Sequence, residues 1–463
     1  MRRDLSASTD PTSTPSPLST SRRNGKPNAK PRICSAARPT RRRACGNSTP
    51  GARCNGSNSA AIWRSPTGRP KRLSPRARKK VLVVTGGPGT GKTTIIKSIL
   101  DVLGVLKGEG LLAAPTGRAA KRLSETTGHE AKTLHRLLAL RPGAEHHAGR
   151  ITVDPDVFIV DEASMVDLTL MAAILRSLAP HTHLVLVGDV DQLPSVGAGD
   201  VLRDIIRSER FRVVTLNEIF RQDAESLIVA NAHRILAGGD LSLPDKGDDA
   251  DFHFIVRDNP AGAVGTIVDL VADRLPARFG LDPVRDIVVL SPMHKGDTGV
   301  KKLNEALQQR LNPHGPAVER GGAVFRAGDR VLQTANDYDR EIFNGDLGVI
   351  VHADPAERRL VVDFDGRRVT VEGAELGDLA PAYAISVHKS QGSEYPAVVI
   401  ALSTYHFVML KRNLLYTAIT RAKKLVVIVG SRRALERAIA NNEVGRRYGL
   451  LRERLARTGR GAL

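Results

Sequence analysis

Cysteine is almost missing from this chain of 463 residues: Cys34, Cys45 and Cys54 are all it has. Their spacings of 11 and 9 residues match no zinc-ligand pattern, and no disulfide framework can hold the remainder of the chain. A reducing compartment, the bacterial cytoplasm, is the expected setting. Long apolar runs are missing too. None reaches the roughly 18 residues that a membrane-spanning helix needs, so no membrane partner is expected. Aromatic residues make up 4% of the chain, with a single tryptophan, Trp63. A ligand gripped by ring stacking would have to be held by few rings.

Acidic residues are scarce in one region. Residues 1–80 hold 20 Lys or Arg against Asp4 and Asp10, whereas residues 81–463 hold 49 basic and 47 acidic residues. The net charge of +20 invites a nucleic-acid reading, but it belongs almost wholly to the first 80 residues. Any phosphate-binding track in the rest has to be a local arrangement. Residues 1–78 are rich in Ser, Thr, Pro, Arg, Gly and Asn and lack helical or strand periodicity. They are expected to be disordered, since such a segment cannot bury enough apolar area to offset its ordering entropy. Four readings stay open for it: no specific role, a basic arm resting on DNA, an acid-poor transit peptide, or a truncated or wrong-frame start.

From residue 79 the pattern changes. Val81–Thr85 is a short β-branched run of the kind that forms a buried parallel strand. It leads into Gly86-Gly87-Pro88-Gly89-Thr90-Gly91-Lys92-Thr93, the G-x-x-x-x-G-K-[ST] phosphate cradle, in its required context of strand, loop and helix. The glycines let backbone amides face phosphates, and the following helix, expected over Thr93–Leu103, offers its positive end. Lys92 brings a compact charge to the β and γ phosphates, and the Thr93 hydroxyl is a ligand for Mg²⁺. Thr94 completes the ATP-binding set. Val157–Val160 ends in Asp161 and Glu162, where Asp161 would hold Mg²⁺ through water and Glu162 would act as general base. His183–Gly188 is a third such strand, and Gln192 just beyond it is placed to sense the γ-phosphate at the carboxyl edge of the sheet.

These segments resemble the RecD-like branch of superfamily 1 DNA helicases. The resemblance rests on Gly86–Thr93, Ala114–Ala120, Thr133–Leu138, Asp161–Asp167, Gly188–Gly197, Ile219–Gln222, Val387–Glu394 and Tyr416–Lys423, in family order. It implies two RecA-like α/β domains with parallel sheets, ATP and Mg²⁺ as cofactors, and single-stranded DNA and duplex junctions as partners. By this resemblance Arg221 and Arg421 reach the γ-phosphate from the second domain, and Gly392 and Glu394 contact the ATP ribose. Thr116, Gly117 and Arg118, then Thr133 and His135, and in the second domain Ser386 and His388, are implied as DNA contacts. Movement from 5′ to 3′ is implied as well. Phe220, Tyr338, Phe343 and Tyr405 are the candidate stacking rings.

The expected organisation is a first RecA-like domain over 79–217, a second over 218–323 and 379–463, and an inserted SH3-like barrel over 324–378. Alternating strands at Arg330–Thr334, Leu347–Val351, Arg359–Asp363 and Arg368–Val371 support the insert, with turns at Phe343–Asp346 and Asp363–Gly366. A strand-splitting pin hairpin is expected over 140–153, around Pro142-Gly143 and Gly149. Family members carry an adenine-contacting glutamine segment before the cradle; no glutamine occurs in residues 1–80. Two alternatives remain at this stage: a translocase that does not unwind, and an inert DNA-binding fragment.

Overall fold

A computed structural model describes residues 80–140, 151–217, 226–245, 249–337, 339–443 and 449–457. The first half of the fold is one parallel sheet. Its strands are β1 (Val81–Gly86), β2 (Gly110–Ala114), β3 (Ala131–Thr133), β4 (Val157–Val160), β5 (His183–Gly188) and β6 (Arg212–Leu216), in the spatial order β3-β2-β4-β5-β1-β6. The apolar runs form strands because helices cover both faces, as on any sheet of this kind; β4 is buried along its whole length. This order sets β5 between β1 and β4. The loops that follow these three strands therefore leave one carboxyl edge side by side, where α/β sheets hold their ligands.

The second half is a parallel sheet with an insertion. It opens with β7 (Phe252–Val256) and β8 (Ile287–Ser291). Seven antiparallel strands follow: β9 (Ala317–Arg320), β10 (Ala323–Arg326), β11 (Arg330–Gln333), β12 (Leu347–Asp354), β13 (Arg359–Phe364), β14 (Arg367–Glu372) and β15 (Leu379–Pro381). The chain then returns through β16 (Ala384–Ser386), β17 (Tyr395–Leu402) and β18 (Ala422–Gly430). The second parallel sheet has the order β16-β8-β17-β18-β7, and the insert forms a sheet β14-β13-β12-β11-β15 beside the hairpin β9/β10. The expected fold class, two parallel P-loop-type α/β sheets with an antiparallel insert, is therefore the one observed. The Asp363–Gly366 turn closes β13 onto β14 with φ of +52° at Asp365 and +90° at Gly366. Two consecutive positive values are what a tight hairpin matched to strand twist demands, and Asp-Gly supplies them at low strain.

Each sheet carries apolar clusters on both faces, and the insert has its own core around Phe325, Val331, Leu360 and Val362. The halves exchange side chains. Leu193, from the loop after β5, packs into the second half's core with Ile385, Leu415 and Tyr416, and Leu451 and Leu455, late in the chain, pack on the first half's core.

Arg421 lies in the turn beyond the helix Arg412–Ile419, because the chain reverses at Thr420 to enter β18. The expected pin lies mostly outside the described residues. At its far flank Val153 makes an isolated parallel bridge with Leu178.

Candidate nucleotide site and nucleic-acid interface

β1 hands over to the helix Lys92–Val105 through the glycine loop. Gly89 and Gly91 take φ of +71° and +80°, which glycine adopts freely and which a loop needs if successive amides are to face one anion. No side chain caps this helix and no acid sits in its first turn, so its first amides stay open to an anion. Lys92 Nζ donates to the carbonyls of Gly86 and Gly87, both at 2.8 Å, which draws the ammonium across the loop. Thr90, buried, donates to Gly87 O at 2.9 Å and stiffens the same turn. Pro88 and Thr93 are half-buried; Thr94 is exposed.

Asp161 and Glu162 follow β4. Burial, and next the charge of Glu162, push the Asp161 carboxyl up to about 6. Its Oδ1 accepts the Glu162 amide at 2.9 Å. Glu162 sits at φ +50°, ψ +40°, a left-handed conformation that costs a non-glycine residue about 1–3 kcal/mol and recurs where a side chain must be aimed. The oxygen-rich set of Thr93, Asp161 and Glu162 suits a hard divalent ion.

The loop after β5 is held to the second half by three bonds. Tyr416 donates its hydroxyl to Asp189 Oδ2 at 2.7 Å. The Leu193 amide donates to Thr417 Oγ1 at 2.9 Å, and Gln391 Nε2 donates to Leu193 O at 2.9 Å. Gln192, buried, donates to Asp189 Oδ2 at 3.3 Å. A Cβ placed on Gly87 would stand 3.2 Å from the Tyr416 hydroxyl, so this oxygen abuts the phosphate loop itself.

The second half's expected contacts with nucleotide are occupied otherwise. Arg421 is 3% exposed and donates to Thr417 O, Ser393 O and Thr420 Oγ1 at 3.1–3.3 Å. Glu394 pairs with Arg122 of the first half at 2.6 Å. Gly392, at φ +73°, lies against the first half as well: a Cβ there would meet Thr116 Oγ1 at 3.0 Å. Arg221 and Phe220 lie outside the described residues, as does Tyr338.

The candidate DNA hydroxyls share one local design. Thr116, Thr133 and Ser386 each stand just beyond or at the carboxyl end of a strand and cap the helix or 3₁₀ turn that follows, accepting the amides of Ala119, Arg136 and Lys389 at 3.2–3.4 Å. Serine and threonine are the residues such a cap prefers. Gly117 is covered by the insert: a Cβ on it would meet Phe343 side-chain carbons at 2.2–2.5 Å. Arg118 donates to the Tyr395 hydroxyl at 3.2 Å and lies 5.7 Å over its ring. His135 lines a cavity of about 390 Å³ with Thr116, Asp167, Ser195, Val196 and Gln391. Burial, and then the neighbouring His294, hold His388 below the usual histidine range. Tyr405 is exposed.

Reading the sequence missed His294, although it follows β8 as His388 follows β16, and missed Leu193, Arg122 and Gln391 as links between the halves. Two-sheet proximity is invisible along a chain: Arg122 and Glu394 are 272 residues apart.

Three family models match. One described as an AAA domain covers residues 75–250, an ATP-dependent RecD-like DNA helicase SH3 domain covers 303–364, and a UvrD-like helicase C-terminal domain covers 381–429. The chain is 39% identical over 379 residues to the ATP-dependent RecD2 DNA helicase of Deinococcus radiodurans, across 82% of this chain and 51% of that protein. It thus spans about half the length of that relative. It is 37% identical over 420 residues to the RecBCD enzyme subunit RecD of Mycobacterium tuberculosis, across 82% of this chain and 72% of that one. Its fold is similar to the crystal structure of a Pif1 helicase from Bacteroides in complex with ADP-AlF3 and ssDNA, with a TM-score of 0.50 and 20% identity over 83% of this chain and 94% of that one.

Proposed function

Because the chain belongs to the RecD-like family of DNA helicases, we propose that it hydrolyses ATP between its two parallel-sheet halves, moves along single-stranded DNA from 5′ to 3′, and unwinds duplex junctions in DNA repair or recombination. One residue carries the reading. Gln391 binds the Leu193 carbonyl on the nucleotide side and lines the cavity with Thr116 and His135 on the strand side. A shift of the loop after β5 therefore reaches the strand track both through this amide and through Ser195 and Val196, which line the same cavity.

In this reading the open amides of Gly89–Thr93 and the Lys92 ammonium, released from the Gly86 and Gly87 carbonyls, take the β and γ phosphates. Thr93 and, through water, Asp161 would hold Mg²⁺, which would supply positive charge to the same phosphates. Glu162 takes the proton of the attacking water. Gln192 orients that water or reports the γ-phosphate. Arg421, freed from Ser393 and Thr417, stabilises the charge that spreads over the leaving phosphoryl group. Thr116, Thr133 and Ser386 present hydroxyls and helix-start amides to backbone phosphates, and His388, with His294, lies beside them. Grip through phosphates weakens as salt rises.

The test is ATP turnover by the purified chain with and without single-stranded DNA, with Lys92→Ala as control, followed by unwinding of a forked duplex. Strand-stimulated turnover that vanishes in Lys92→Ala is expected. Turnover that ignores DNA would refute the motor reading. Stimulated turnover without strand separation would make the chain a translocase.

A further inference from the structure

Tyr416 belongs to none of the roles above, yet its ring is among the largest fully buried side chains. Its hydroxyl meets Asp189, which is 2% exposed. The other donors to that carboxylate are neutral too: the Asp191 amide at 3.0 Å and the Gln192 side chain at 3.3 Å. Burial, followed by the Asp189 charge, raises the Tyr416 hydroxyl well above the usual tyrosine range, so it stays a donor. A buried carboxylate served only by neutral donors tolerates the loss of one poorly, since its desolvation is then uncompensated. The loss would fall on the nearest adjustable partner, Gln192.

Two working parts meet at this hydroxyl and a third is tied to the residue beside it. Gly87 of the phosphate loop lies against it. The loop that bears Gln192 is bonded to it through Asp189. Arg421 follows five residues later and hangs on the carbonyl of the adjacent Thr417. The first two parts come from the first half of the fold and the third from the second.

We propose that Tyr416 is a positioning residue for ATP turnover: through Asp189 it sets Gln192 beside the phosphate loop and fixes the Arg421 segment near the same point. The proposal deepens the ATP-motor reading and rests on it. The hydroxyl touches no reacting atom; it determines where Gln192 and Arg421 stand when phosphate arrives.

The experiment compares steady-state ATP hydrolysis, with and without oligo(dT), for the wild-type chain, Tyr416→Phe, Asp189→Ala and the double variant. Melting curves accompany each. Phenylalanine keeps the buried ring, so the first variant is expected to fold. The expected result is a KM for ATP within about threefold of wild type, and a kcat with oligo(dT) lower by about tenfold, the size of one lost bond to a charged group. The double variant should be no slower than Asp189→Ala, since both remove the same link. A purely structural tyrosine would lower the melting temperature and leave kcat alone. A Tyr416→Phe kcat within twofold of wild type, or effects of the two substitutions that multiply, would overturn the proposal. A wild-type chain with no turnover would overturn the ATP reading and this one with it; active wild type with an indifferent Tyr416→Phe overturns this one alone.

Discussion

The two faces of the cleft are built differently. On the first half the candidate groups stand at their posts: the glycine loop is wound, Lys92 bridges it, and Asp161 and Glu162 sit at a strand end. On the second half they are engaged with other protein groups. Arg421 is held by carbonyls, Glu394 by Arg122, and Gly392 is pressed on Thr116. Under the proposed function the first half is a preformed cradle, whereas the second half's contacts would be exchanged for ligand. Exchangeable contacts across a cleft are what a cyclic motor needs.

The sharpest way to break this contrast is Arg421→Ala. If the guanidinium leaves its carbonyls to serve the γ-phosphate, kcat should drop by about 10³ with ATP binding largely retained. Near-normal turnover would mean that the arginine is a structural strut and that the second half is as fixed as the first. A smaller effect is expected at Gly117. Alanine there collides with the base of the Phe343 side chain, so the insert must lift from the first half. A loss of about 1–3 kcal/mol is expected, read as a fall of a few degrees in Tm, and Phe343→Gly in the same chain, which also removes the Cβ that would stand 2.3 Å from the added methyl, should restore part of it. No rescue would show that the insert is not docked through this contact.

The smallest effect concerns pH. His406 accepts the Ser403 amide and bonds Thr298, and burial pushes its imidazole down to about 4. The folded state thus binds the proton more weakly than the unfolded chain. Stability is complete above the ordinary histidine value near 6.5 and falls as pH drops from there toward 4, by at most about 1.4 kcal/mol per unit. Tm measured from pH 7 to pH 5 should fall more steeply for the wild type than for His406→Gln. Parallel curves would remove His406 as the cause.

What could be read from the sequence follows the same divide. The phosphate loop and the Asp161–Glu162 pair were legible because each is a contiguous signal, an apolar run followed by its loop. Four of the insert's seven strands, β11 to β14, were legible from alternation, and its Asp365-Gly366 turn from dipeptide chemistry, whereas β9, β10 and β15 were not. Links such as Leu193 with Thr417, or Arg118 with Tyr395, were not, since no local periodicity encodes which residues of two separate sheets will face each other. Phe343 could be flagged as an aromatic in a turn, but its seat on Gly117 depends on how the insert lies against a helix more than 200 residues earlier.

Leu193 has a consequence for how the protein can be taken apart. Its polypeptide belongs to the first sheet and its side chain to the second sheet's core. A chain severed between residues 217 and 226 would give one fragment with a bare leucine at its tip and another with a leucine-sized hole, an omission that usually costs a core about 2–5 kcal/mol. The halves are therefore not modules that evolution or an experimenter can trade freely. Any swap of either half with a relative's has to carry a matching plug and socket.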